Sequence, residues 1–112
     1  WRARRSVKRI VTGKGAHNLR GQGDGRHIFV SNRVSNSISR IDMNRLELVD
    51  SIAVPGGPDC MEITADGKTM WVTNRFAKQV SLIDLAERRI VHTIPVGRSP
   101  HGIYFHNRAA LL

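Results

Sequence analysis

The stretch Thr69-Met70-Trp71-Val72-Thr73-Asn74-Arg75-Phe76-Ala77-Lys78-Gln79-Val80-Ser81-Leu82-Ile83-Asp84 decides the fold. Thr69–Thr73 is rich in residues that suit a pleated sheet, Asn74–Lys78 is a polar turn, and Val80–Asp84 alternates apolar with polar. On the N-terminal side, Cys60-Met61-Glu62-Ile63-Thr64 alternates in the same way. It reaches Thr69 through Asp66-Gly67, a dipeptide that favours a tight hairpin turn. On the C-terminal side, Ala86-Glu87-Arg88 turns the chain into a fourth strand at Ile90–Val96. No stretch shows a capped amphipathic helix of useful length.

The same order of elements occurs one copy earlier. Ile10–Ser51 lies over Ile52–Thr93 with a gapless period of 42 residues. The identities include Gly15/Gly57, Asp24/Asp66, Asn32/Asn74, Arg33/Arg75, Ser39/Ser81 and Asp42/Asp84. A third copy opens at Ile94 and stops at Leu112, and Ser6–Arg9 lines up with the end of a preceding one. Four short strands in a repeat of this length form the pattern of a propeller blade. Residues 1–112 therefore read as one partial β-propeller domain, with repeats at about 10–51 and 52–93 and a partial repeat at 94–112.

Trp71-Val72-Thr73-Asn74, followed by Val80-Ser81-Leu82-Ile83-Asp84-Leu85, resembles the core of the YVTN-type β-propeller repeat. Phe29-Val30-Ser31-Asn32 with Ile38-Ser39-Arg40-Ile41-Asp42 carries the same pattern one blade earlier, and Thr93–Ile103 resembles that family's link between blades. The resemblance covers about Ser6 to about His106. It implies an all-β fold with blades of four antiparallel strands, and an extracytoplasmic, periplasmic setting in a bacterium or archaeon. The first copy departs from the pattern, since its innermost strand, His17–Gly23, is polar and glycine-rich. That strand is expected to be the weakest part of the fold.

Counted in strands, the chain reads as one outermost strand (about Ser6–Thr12), two full blades, and one innermost strand (about His101–His106). A closed ring takes at least about four blades, and an open arc exposes sheet edges that promote aggregation. The expectation is the C-terminal part of a longer propeller, or otherwise a copy within a ring-forming oligomer. An isolated chain is expected to associate and not to remain a compact monomer.

In a propeller, the link between blades and the turn between second and third strands share one face. Loops on a rigid scaffold are where binding residues usually sit. The links hold His17, Asp59 and His101 at equivalent repeat positions, as an arc around the channel mouth. The turns hold Asn32-Arg33 and Asn74-Arg75. Imidazole and carboxylate are good metal ligands, so a metal or haem site is one reading of the arc. The plainer reading is that His101, in a Pro-His-Gly turn, orients backbone. The asparagines are expected to hydrogen-bond their own turn. Arg33 and Arg75 offer planar forks that suit a carboxylate or phosphate. Asp42 and Asp84, and the Asp24-Gly25 and Asp66-Gly67 pairs, read as turn chemistry.

The chain carries 18 Lys and Arg against 9 Asp and Glu among its 112 residues, for a formal charge of +9. One cysteine excludes an internal disulfide framework, and Cys60 on an innermost strand reads as structural. No apolar run approaches the roughly 20 residues of a membrane span. Trp1–Gly23 holds seven basic residues and no acidic one, which protects an edge or attracts nucleic acid and other polyanions. Aromatic residues are only 5%, so stacking platforms for bases are scarce. There is neither a nucleophile elbow nor a phosphate-binding glycine loop. The reading is a binding or scaffold module for an unidentified ligand or protein, with no cofactor of its own. Part of a redox propeller holding haem is the alternative, and polyanion binding the third.

Overall fold

The computed structural model describes residues 10–97 and Ile103. Eight strands follow one another: β1 Ala16–Gly21, β2 His27–Asn32, β3 Ser37–Asp42, β4 Glu47–Ala53, β5 Pro58–Ile63, β6 Thr69–Asn74, β7 Gln79–Asp84 and β8 Arg89–Pro95. They form two antiparallel meanders, β1-β2-β3-β4 and β5-β6-β7-β8, each a blade. Among the described residues there is no helix, hence none long and apolar enough to cross a membrane. The flanking strands expected at Ser6–Thr12 and His101–His106 lie largely outside the described residues. Ile10–Thr12 and Ile103 are not in a strand.

Register explains the core. In the second blade Ile63 pairs with Met70, Met70 with Ile83, and Ile83 with Ile90, so one apolar row crosses all four strands. Ile63, Met70 and Ile83 are fully buried. Phe29, Ile38, Ile52 and Val54 of the first blade enter the same cluster, because β5 packs against both β1 and β2. One face of the first blade is thus pressed onto the opposite face of the second, and alternation supplies the apolar residues to both. The other face of the first blade leaves Leu19 and Leu48 at 62% and 42% exposure. In line with its polar sequence, β1 is exposed along most of its length.

The turns at the far end of the blades follow their sequence. Asp42 Oδ1 accepts the backbone N–H groups of Asn44 and Arg45 at 2.9 and 3.1 Å, and Asp84 Oδ1 does the same for Ala86 and Glu87. Asp24 Oδ1 accepts from the N–H of Arg26 and His27, and Gly25 and Gly67 take the positive φ of 72° that these turns need. Asp42 also accepts from Arg26 Nε at 2.9 Å, and this bond is the main cause that lowers its pKa to about 2. A carboxylate with a depressed pKa contributes stability that is present above the unfolded value of 3.8 and lost as pH falls through about 2. The Arg26→Ala chain should therefore lose less of its stability than the unaltered chain between about pH 4 and about pH 2. Urea midpoints across that window check it, and parallel curves for the two chains would count against it.

Candidate functional site

At the other end of the blades the β2–β3 and β6–β7 turns meet the links that precede β1 and β5. Arg33 N–H donates to Gly15 O at 2.9 Å, and Val34 and Ser35 N–H donate to Lys14 O. One blade on, Arg75 N–H donates to Gly57 O at 3.0 Å and Phe76 N–H to Gly56 O at 2.9 Å. Gly15 and Gly57 both adopt φ 75°, and a Cβ on Gly57 would fall 2.3 Å from the Phe76 ring. The repeated glycine is thus required twice, by backbone angle and by close approach. Gly57 N–H also donates to Asn36 Oδ1 of the first blade, tying the two loop sets together.

The innermost strands enter this end through irregular register, between Ala16 and Asn18 in β1 and between Pro58 and Met61 in β5. His17 and Asp59 therefore sit in bulges, which redirect side chains away from the regular pleat. Hydroxyls from the second strands satisfy the displaced backbone. Ser31 Oγ accepts from Asn18 N–H at 3.1 Å and donates to Asp59 O at 2.8 Å, and Thr73 Oγ1 accepts from Cys60 N–H at 3.0 Å.

The bulges bring four of the expected residues together. Asp59 is fully buried, and His17 Nε2 lies 2.7 Å from its Oδ1. Its Oδ2 lies 3.5 Å from Arg33 Nη1 and 4.0 Å from Arg75 Nη1. One carboxylate thus lies within ion-pair reach of the equivalent arginines of two blades. The arginine side chains remain 27% and 40% exposed, although Arg33 Nη1 itself is buried and makes no hydrogen bond. Two permanent cations around one carboxylate leave the site positive.

Asn32 and Asn74 are fully shielded and support the turns from beneath. Asn32 Nδ2 donates to Ser37 Oγ across its own turn and to Ser39 Oγ on β3, and Asn74 Nδ2 donates to Ser81 Oγ. The asparagines therefore reach beyond their turns, because the adjoining strand offers a serine at the same repeat position. His101 lies outside the described residues.

Sequence reasoning missed the pairing between blades. Asn18 Nδ2 donates to Cys60 Sγ at 3.3 Å, Arg20 Nη2 lies 3.5 Å from Glu62 Oε2, and Arg20 Nε donates to Met61 O. His17/Asp59, Asn18/Cys60 and Arg20/Glu62 are each the same repeat position in neighbouring blades. For His17/Asp59 and Arg20/Glu62 the signal was present as a basic and an acidic residue one period apart. Burial, then the Asp59 carboxylate, push the Cys60 thiol's pKa up, so it stays protonated and unreactive near neutral pH.

A metal ion does not fit the described part of the arc, His17 and Asp59. The Asp59 oxygens already face an imidazole and two guanidinium groups, whose charge opposes a further cation. Among the described residues no group of three or more His, Cys, Asp and Glu is placed to hold one.

A family model described as YNCE-like beta-propeller matches residues 2–110. Hydrazine synthase of Kuenenia stuttgartiensis is similar at 25% identity and a TM-score of 0.74, over 81% of this chain and 26% of that one. AztD of Citrobacter koseri is similar at 13% identity and a TM-score of 0.68, over 82% of this chain and 27% of that one. The dihydro-heme d1 dehydrogenase NirN matches at 24% identity and a TM-score of 0.57, over 66% of this chain and 17% of that one. The last two likenesses show the fold alone. The chain spans about a quarter or less of the length of these solved structures. Comparison with curated proteins gives no match.

Proposed function

The chain belongs to the YNCE-like β-propeller family, and from that premise we propose that it acts as a binding module which recognises an anionic ligand at the channel mouth. The observation that carries this reading is the convergence of Arg33 and Arg75 on buried Asp59. Both guanidinium groups lie within ion-pair reach of this one carboxylate, and the excess positive charge suits an incoming carboxylate or phosphate. His17 adds a third polar group at the rim. The same residues give no step of bond making or breaking, and the module is read as non-enzymatic. Its setting is read as extracytoplasmic, on the family resemblance.

Each engaged arginine contributes roughly 1.5–3 kcal/mol as a charge-assisted hydrogen bond. Arg33→Ala and Arg75→Ala should each weaken binding of citrate or inorganic phosphate about tenfold or more at physiological salt. Deleting Arg2–Arg9 should remove only a salt-sensitive background. Titration calorimetry at low and physiological salt makes the comparison. If the deletion abolishes binding and the two loop substitutions leave it unchanged, the polyanion reading replaces this one.

The redox-propeller reading has one point in its favour, the similarity to the protein named hydrazine synthase. A visible absorption spectrum of the purified chain with added haem separates the two. A Soret shift lost on His17→Ala would support haem, and an unaltered spectrum would count against it.

A further inference from the structure

The two arginines are each followed by an exposed apolar residue that the anion site does not use. Val34 and Phe76 stand at the same repeat position, next to Arg33 and Arg75, and are 66% and 65% exposed. Neither belongs to the core cluster. Both are held firmly, since their own N–H groups are bonded to Lys14 O and Gly56 O. Each side chain also lies against the glycine of its link, where a Cβ would come within 2.6 Å of Val34 Cγ2 or 2.3 Å of the Phe76 ring. One flank of each side chain rests on backbone and the other faces solvent.

Charge is segregated in the same sense. Lys14 and Lys78 are exposed at this end beside the two arginines. Of the nine carboxylates in the chain, only Asp59 is here, and it is buried. The others lie mid-strand, at Asp50 and Glu62, or in and beside the turns at the far end. Among the described residues the exposed surface of this end is therefore cationic, with Val34 and Phe76 beside the arginines. A small anion would use the cations alone and leave the valine and phenylalanine in water. Nucleic acid would need stacking platforms, and Phe76 is the only strongly exposed aromatic side chain among the described residues.

We propose that this face docks an acidic peptide segment of a partner protein, whose carboxylates meet Arg33 and Arg75 and whose apolar side chains cover Val34 and Phe76. This rests on the reading of the two arginines as anion-binding. Arginine and phenylalanine are enriched at protein interfaces, and side chains already resting on backbone lose little conformational freedom on binding.

The test uses fluorescence anisotropy of the full chain with three labelled probes at physiological salt. They are a short peptide alternating Glu with Leu and Ser, the same peptide with every Leu replaced by Ser, and an oligothymidylate. The Glu/Leu peptide should bind more tightly than the Glu/Ser peptide. Phe76→Ser should weaken the Glu/Leu peptide about tenfold and Val34→Ser about threefold, with the Glu/Ser peptide unaffected by either. Arg75→Ala should weaken both peptides. Equal affinity for the two peptides, with Phe76→Ser neutral, overturns the docking proposal and leaves the anion reading standing. Tighter binding of oligothymidylate, weakened by Phe76→Ser, overturns it in favour of nucleic acid. Loss of all sensitivity to Arg75→Ala removes both readings.

Discussion

Phe29→Ala should remove most of the stability of the two-blade unit. Phe29 is 1% exposed and lies in the cluster that joins the blades, with Met61, Ile63, Met70 and Val72 of the second blade in the same cluster. Its loss forfeits the transfer free energy of a large side chain and leaves a cavity between two sheets that cannot readily close. The expected cost is about 3–5 kcal/mol, a large share of the roughly 5–15 kcal/mol typical of a folded domain. Leu19→Ala, on the open face at 62% exposure, should change stability by about 0.5 kcal/mol or less. Urea unfolding followed by Trp71 fluorescence compares them. Equal effects would mean that the blades do not pack through the Phe29 face.

Asp59→Ala should have the second-largest effect, and it should depend on salt. Removing this carboxylate leaves His17, Arg33 and Arg75 gathered around an uncompensated space. Breaking a fully buried pair costs about 3–5 kcal/mol, and the part exposure of these three partners brings the expectation to about 2–3 kcal/mol. Asp59→Asn keeps the shape but not the charge, so its deficit should be smaller. Because the residual penalty is repulsion among cations, added salt should narrow the gap to the unaltered chain. Denaturation midpoints at low and high salt check this. A deficit that salt does not change would assign the role of Asp59 to packing.

The strands were legible because each lies in a sheet whose faces differ, so alternation marked β5 and β7, and sheet-favouring residues marked β6, to within two residues. The repeat identified the blades, and the paired glycines marked where the links approach the turns. What remained hidden was contact between blades. Nothing local in Pro58-Asp59-Cys60 indicates that a bulge turns Asp59 under two arginines, since that depends on how β5 meets β1 and β2. His17, Asn32, Arg33, Asp59, Asn74 and Arg75 lie at one end among the described residues, but their ranking was not legible. Asp59, Asn32 and Asn74 are buried supports, whereas Arg33 and Arg75 present a surface. The exposure of Val34 and Phe76 was equally unreadable, because an apolar residue in a turn has the same letter whether it packs or projects.

A double-mutant cycle for citrate affinity decides whether Arg33 and Arg75 form one site organised by Asp59. Titration calorimetry at physiological salt would measure the unaltered chain, Arg33→Ala, Arg75→Ala and the double variant. Side chains that share a partner and a ligand act non-additively. Either single substitution should cost about tenfold or more, and the double variant should lose clearly less than the product of the two losses. Independent losses that multiply, or citrate binding that neither substitution alters, would contradict a shared site.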